Sequence, residues 1–521
     1  MWFKGVLVVF IVSVALFKWV ASLNSSSFLA DFLFGTASAA HQIEGAVYEG
    51  GKSQSNWDNF THKYPGKIFD HSTADIATDS YHRYKEDVGL MKDIGFQAYR
   101  FSVSWSRILP SGHLKDGVNQ EGITYYNNLI NELLSNGLQP FITLFHWELP
   151  QALEDEYGAF LSPKIVEDFA DFVEVCFREF GDRVKHWITL NEPLPVSLQG
   201  YAYGMFPPAR CSKWIRPDCE AGDSSREPYI VSHYQLLAHA AAVNVYRDKF
   251  QSSQKGEIGI ALSVPWIMPL SPSKADVDAV SRVFAFFDEW YMGPLYNGEY
   301  PAVMVEKLGD RLPKFSSRES AMIKGSFDFL GLNYYTATYV GDIPCQRENL
   351  TFLADICALF SGNPYVSKSS LYLFVASIYL QFIYFVASAT RDGIPIGPQT
   401  ATDWLYTFPQ GILDLLEYTQ EKYGDPIIYI TENGINEPND GTKALDDNFR
   451  IDFIVQHLSY IEKAIRNGIK VKGYFVWSLL DNFEWSYGYT VRWGIVHVDF
   501  KNNLKRYCKQ SALWFKRFLH Q

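Results

Sequence analysis

Eight short apolar runs, separated by stretches long enough to hold a helix and a loop, constrain this chain more than any other feature of its sequence. They fall at 32–37, 97–101, 140–145, 187–190, 257–262, 327–332, 427–431 and 473–478. Continuous apolar runs of this length mark strands buried on both faces, as in a parallel sheet covered by helices. Several intervening segments carry apolar residues at helical spacing. One stripe is Phe169, Phe172, Val173, Cys176, Phe177 and Phe180, behind a Ser162-Pro163 start. Another is Phe453, Ile454, Leu458, Ile461 and Ile465, ahead of Gly468. Eight such strands alternating with helices predict an α/β fold, a closed (β/α)8 TIM barrel with long βα loops, rather than an open sheet. The 521 residues suggest three domains by length alone, but no Gly/Ser linker or charge block divides them, so 23–521 is read as one barrel domain.

Residues 1–22 pair Lys4 with an apolar run and end in Val20-Ala21-Ser22, which reads as a secretory signal peptide. Losing Lys4 and Lys18 with it takes the net charge from −12 to −14. So acidic a surface repels phosphate backbones, which argues against nucleic acid as a partner. Export permits disulfides: Cys211 and Cys219 share one polar loop and form the favoured pair, Cys345 and Cys357 are close enough to close a second, and Cys176 reads as a buried free thiol. Asn24, Asn59 and Asn349 begin glycosylation sequons suited to the same compartment. The C-terminal Phe-Leu-His-Gln is not an ER-retention signal.

One segment resists the scheme. Residues 371–389, within an atypical loop at 345–390, are as apolar as a membrane span. Spanning would put the seventh and eighth strands across a bilayer from the first six, so no stable span is expected. Three readings stand: a hydrophobic helix docked on the body, a membrane-touching loop, or translated noncoding sequence foreign to the working protein.

In a barrel of this kind chemistry sits at the carboxyl ends of the strands. Polar residues collect there: Arg100 near the second, His146-Trp147 after the third, Asn191-Glu192 after the fourth, Asn333-Tyr334-Tyr335 after the sixth, and Glu432-Asn433 after the seventh. Glu192 and Glu432 each follow a β-rich run, 240 positions apart. Two carboxyls in unequal environments are the equipment for glycosidic bond cleavage: one protonates the leaving oxygen while the other, ionised, attacks the anomeric carbon. A lone glutamate after a strand is ordinarily an exposed loop acid. Two of them, with Arg100 available to hold one ionised, are not so easily dismissed. The sequence has no His-Glu-x-x-His, Cys-x-x-Cys, Gly-x-Ser-x-Gly or Walker-type loop, so no metal or cofactor is expected.

These motifs resemble glycoside hydrolase family 1, especially its plant β-glucosidases. Thr189-Leu190-Asn191-Glu192-Pro193 resembles the family's acid/base motif and Ile430-Thr431-Glu432-Asn433-Gly434 its nucleophile motif. The likeness runs from about Ser27 to Leu519 and breaks only around 345–390. The resemblance implies that Glu192 acts as acid and then base, that Glu432 is the nucleophile, and that anomeric configuration is retained. Arg100 and Tyr335 would keep Glu432 ionised. Gln42, His146, Asn191, Asn333, Glu484 and Trp485 would bind the sugar, with Trp477 beneath it and Trp404 walling the aglycone pocket. Glu484 gripping the 4- and 6-hydroxyls would repel a 6-phosphate. Glu rather than Gln at 192 argues against the thioglucosidase branch. Two departures are visible: Glu148 stands where many relatives have Asp, and Trp493 where many have Phe. The expectation is a retaining β-glucosidase acting on small glucosides in the secretory pathway, bound for the cell wall, extracellular space or vacuole. A transglucosidase on the same site and a catalytically silent sugar-binding relative are the alternatives. Retaining chemistry sets one spatial condition: the two glutamates must meet about 5 Å apart across the cleft.

Overall fold

Eight parallel strands close on themselves in the computed structural model, which describes residues 23–360, 389–441 and 445–520. They are β1 (Leu33–Ala37), β2 (Ala98–Ser102), β3 (Gln139–Phe145), β4 (His186–Asn191), β5 (Glu257–Ser263), β6 (Phe329–Asn333), β7 (Ile428–Asn433) and β8 (Val471–Trp477). Each pairs with its sequence neighbour, and β8 pairs with β1. Each apolar run of the sequence lies on one strand, with bounds that differ by one or two residues. Several strands continue past the last apolar residue onto a polar one: Ser102, Asn191, Ser263, Asn333 and Asn433. Polarity does not end a strand whose next neighbour in the ladder still supplies hydrogen bonds.

Helices cover the barrel: α1 (Ser80–Ile94), α2 (Gln120–Ser135), α3 (Lys164–Phe180), α4 (Glu227–Tyr246), α5 (Lys274–Phe287), α6 (Gln410–Lys422), α7 (Asn448–Arg466) and α8 (Gln510–Leu519). The predicted α3 stripe is wholly buried; on α7 only Ile465 is half-exposed. Local chemistry fixes helix ends. The Asn119 and Ser273 side chains accept the Glu121 and Asp276 amides at the starts of α2 and α5, and Gly95 ends α1 at φ +98°.

The barrel floor is filled by rings. Phe141 stacks on His186 with centroids 4.0 Å apart, while Phe475 and Tyr429 lie 4.8 and 5.4 Å from Phe141. Such rings fit because glycines face them: a Cβ on Gly35 would come within 2.5 Å of the Phe475 ring. The floor is therefore solid, and any cavity must open at the strands' carboxyl ends. There the βα loops add a three-stranded sheet of Trp266–Pro269, Ala337–Asp342 and Ala358–Phe360.

Disulfides join Cys211 to Cys219 and Cys345 to Cys357, with Cα separations of 5.4 and 4.7 Å, and Cys176 is a buried free thiol. Of the sequons, Asn349 is exposed, whereas Asn24 and Asn59 are half-buried. The leader at 1–22 and the apolar stretch at 371–389 fall outside the described residues, apart from Ala389. Among the described residues no helix is long and apolar enough to cross a membrane. If the aromatic floor holds the barrel together, Phe141→Ala should cost about 3–5 kcal/mol through the cavity it leaves. Chemical denaturation should read this as a lower midpoint.

Candidate active site

Strict alternation along a strand would turn Thr431 and Glu432 to opposite faces. The register of β7 shifts against β6 and β8 beyond Ile430, and that of β4 shifts against β5 between Ile188 and Asn191. Such irregularities re-aim side chains, and both fall where a glutamate must turn inward. Glu192 itself has φ +45°, a left-handed backbone that costs on the order of 1–3 kcal/mol in a residue other than glycine. It is held there from both sides. Its amide donates to the Ala261 carbonyl at 2.9 Å, and Trp147 Nε1 donates to the carbonyls of Asn191 and Glu192 at 3.0 and 3.2 Å.

Arg100, on β2, is only 1% exposed and fans out under the cleft. Its Nη1 donates to Glu432 Oε1 at 2.5 Å and to the Thr431 carbonyl at 3.1 Å. Its Nη2 donates to Asn191 Oδ1 at 2.6 Å, and its Nε to Thr143 Oγ1 at 3.2 Å. Tyr335 donates its hydroxyl to the other carboxyl oxygen, Glu432 Oε2, at 2.6 Å. Asn333, the register neighbour of Glu432 on β6, donates to Glu192 Oε1 at 2.6 Å and to Asn191 Oδ1 at 3.0 Å. Thr431 Oγ1 in turn donates to Asn333 Oδ1 at 2.6 Å, fixing which way that amide faces. One continuous set of hydrogen bonds thus joins the two glutamates.

Their surroundings are unequal. Glu432 has a guanidinium and a hydroxyl on its oxygens, whereas Glu192 has neutral partners, the Asn333 amide and the Ser263 hydroxyl. Burial first, and then the charge of Glu432, hold the Glu192 carboxyl well above the usual carboxylate range. The Asn333 and Ser263 hydrogen bonds and Arg100 oppose this and do not win. Burial followed by Arg100 keeps His146 well below an ordinary imidazole, hence neutral, and Asn191 Nδ2 donates to its Nε2 at 3.0 Å. Glu484 is also pushed well above the carboxylate range, by its enclosure and then by Glu432.

Glu192, Glu432, His146, Asn191, Asn333, Tyr335, Trp404, Trp477, Glu484 and Trp485 all border one cavity of about 240 Å³. Gln42 and Arg100 stand behind its wall. Gln42 is fully buried and its amide donates to Asn482 Oδ1, the Phe483 carbonyl and Glu484 Oε2 at 2.9, 2.9 and 3.2 Å. It sits behind the Glu484 loop, with Oε1 lacking a protein partner. Glu148 also lies away from the cavity, accepting from the Ser104 and Ser106 hydroxyls. Trp493 lines the cavity and stacks on Trp404, centroids 6.3 Å apart.

Two contributions escaped sequence reasoning. One is Trp147, whose indole pins the end of β4 at Asn191 and Glu192; the aromatic residue beside His146 is its signal. The other is the cavity's outer wall of Leu194, Leu198, Pro265, Phe287 and Phe360. Leu194 and Leu198 follow Glu192 closely, but an apolar residue in a loop carries no mark distinguishing wall from core. Among the described residues no group of three or more His, Cys, Asp or Glu is placed to hold a metal ion.

The model of glycosyl hydrolase family 1 matches residues 24–521. The chain belongs to this family. Beta-glucosidase 12 of Arabidopsis thaliana is 51% identical over 99% of this chain and 98% of its own length. Beta-glucosidase 12 of Oryza sativa subsp. indica is 54% identical over 95% of this chain and 93% of its own. Among solved structures, a rice β-glucosidase superposes with TM-score 0.88 at 45% identity, covering 95% of this chain and 99% of that one. The β-glucosidase of the fungus Humicola insolens, in complex with glucose, gives 0.85 at 40%, covering 94% and 98%. Because the charge of Glu432 helps hold the proton on Glu192, Glu432→Gln should lower the Glu192 pKa. Infrared titration of the protonated-carboxyl band, assigned by its loss in Glu432→Gln/Glu192→Gln, should show this shift.

Proposed function

We propose that this family 1 glycosidase is a retaining β-glucosidase that removes the terminal non-reducing β-D-glucosyl residue from small glucosides. The observation that carries the reading is the split between its two buried glutamates. Glu432, the nucleophile, is held by Arg100 and Tyr335, and Glu192 is kept protonated by its burial and by Glu432. Glu432 attacks the anomeric carbon as the bond to the aglycone oxygen breaks, and that oxygen takes the Glu192 proton. The ester formed at Glu432 carries no charge, so the electrostatic pressure on Glu192 falls. Glu192 is then free to accept a proton from water, which attacks the same carbon from the vacated face. Two inversions restore the original configuration.

The glucosyl unit sits against Trp477, with Asn191, His146 and Glu484 as its polar partners. The aglycone lies outward against Trp404, Leu194, Leu198 and Phe360, which supply apolar surface and no charge. Apolar or phenolic aglycones suit that wall. Two of the three glutamates bordering the cavity are driven toward the protonated form and no lysine or arginine lines it, so the cavity offers no cation to an anionic substrate. Small glucosides are thus the partners of this site. The two disulfides fit the secretory pathway, with the cell wall, extracellular space or vacuole as destination.

Purified protein should cleave a chromogenic β-glucoside and release glucose first as the β-anomer, seen by proton NMR. Replacing Glu432 with Gly should reduce turnover by more than about three orders of magnitude. Added azide should then form a glycosyl azide of inverted configuration. Initial release of the α-anomer by the wild type, or a Glu432→Gly enzyme with undiminished hydrolysis, would refute the assignment.

A further inference from the structure

The loop that follows β8 brings Glu484 and Trp485 to the cavity wall, and its anchor lies on the side away from the cleft. Asp481, three residues before Glu484, is completely buried. Its Oδ1 accepts from Lys509 Nζ at 2.9 Å and from the Gly494 amide at 3.1 Å. Its Oδ2 accepts from Arg492 Nη1 at 2.5 Å and the Val498 amide at 3.4 Å, with His497 Nδ1 3.4 Å away. The next residue, Asn482, accepts the Gln42 amide that also reaches Glu484. A displacement of Asp481 would therefore carry Asn482, Gln42 and Glu484 with it.

Lys509 makes a second ion pair, to Glu437 Oε1 at 2.6 Å. Glu437 lies in the loop that leaves β7, the strand bearing Glu432. Lys509 itself belongs to neither loop: it immediately precedes α8 and is completely buried. One ammonium thus ties the loop after β7 to the loop after β8. The surrounding charges balance. Arg492 also donates to Asn439 Oδ1 at 2.8 Å, and Arg450 reaches Glu437 at 3.5 Å and Asp447 at 2.6 Å. Removing an ammonium and two carboxylates from water costs several kcal/mol per ion, which pairing at best offsets. Apolar residues of similar volume would join the same elements at no greater cost. What the ion cluster adds is fixed direction and distance between two loops.

We propose that Lys509 is a positioning residue for sugar binding: it sets the loop carrying Glu484 against the end of β7, so that the sugar is gripped in register with Glu432. The inference rests on the β-glucosidase reading of the cavity. It also predicts which kinetic constant moves. Glu432 is held by Arg100 and Tyr335, and Glu192 by Asn333 and the Trp147–Ala261 backbone contacts, none of which touches Lys509. Loosening the clamp therefore weakens the grip on the sugar while leaving the reacting carboxyls in place, the pattern of lost uniform binding.

The test measures kcat and KM of wild type, Lys509→Met and Asp481→Asn on 4-nitrophenyl β-D-glucoside. Asp481→Asn keeps the shape and one carbonyl acceptor if Lys509→Met does not fold. In folded variants KM should rise about tenfold or more while kcat stays within about threefold of wild type. KM does not depend on how much of a preparation is folded, so a purely structural role would lower apparent kcat and leave KM unchanged. That result, or a kcat loss without a KM change, overturns the proposal. A wild-type enzyme that does not cleave the glucoside overturns the functional reading instead.

Discussion

The contact between Arg100 and Glu432 sets the terms for the rest of the site. A guanidinium buried inside a barrel is tolerable only with its donors satisfied, and truncating one partner of such a pair costs about 3–5 kcal/mol. Here the donors are used on three other strands at once: Arg100 on β2 reaches Thr143 on β3, Asn191 on β4, and Thr431 and Glu432 on β7. The same bonds that neutralise Arg100 define the geometry of the strand ends. The aromatic floor beneath makes this possible by filling the barrel, so that the charge is pressed toward the open end.

Charge accounting explains the division of labour. Three carboxylates border the cavity, and Arg100 is committed to one of them. His146, kept neutral by burial and by Arg100, supplies no second cation. Glu192 and Glu484 are left in a poorly solvated space with a negative neighbour, and both are driven toward the protonated form. Two neighbouring glutamates in unequal environments are thus a consequence of one cation, Arg100, placed beneath one of them. Of the two causes that raise the Glu192 pKa, burial comes first and the charge of Glu432 second.

What the sequence displays is what depends on continuous patterning. Strands buried on both faces must be apolar throughout, so all eight barrel strands are visible, as are the stripes of α3 and α7. Residues with chemistry stand out at the strand ends because polar groups there interrupt that patterning. Invisible are features that depend on register and direction. No local signal marks the shifts at Ile188–Asn191 and after Ile430, yet they turn the two glutamates inward. Asn333 is legible as a polar residue near the site, but not as the amide between Glu192 and Asn191. Gln42 is legible as a site residue, yet it stands behind Glu484 rather than on the cavity wall. Lys509, Arg492 and Arg450 carry the commonest signature of solvent exposure and are buried in a cluster beneath the loop that bears Glu484. Their partners lie up to tens of residues away, where no spacing rule applies.

The central claim is that Glu432, poised by Arg100 and Tyr335, becomes covalently bonded to the sugar during turnover. The most direct measurement is mass spectrometry of the enzyme inactivated with an activated 2-deoxy-2-fluoro-β-glucoside, which slows release of the intermediate. The account predicts one fluoroglucosyl group per chain, located by peptide fragmentation at Glu432. Label on another residue, or turnover that proceeds with inversion and leaves no label, would contradict it.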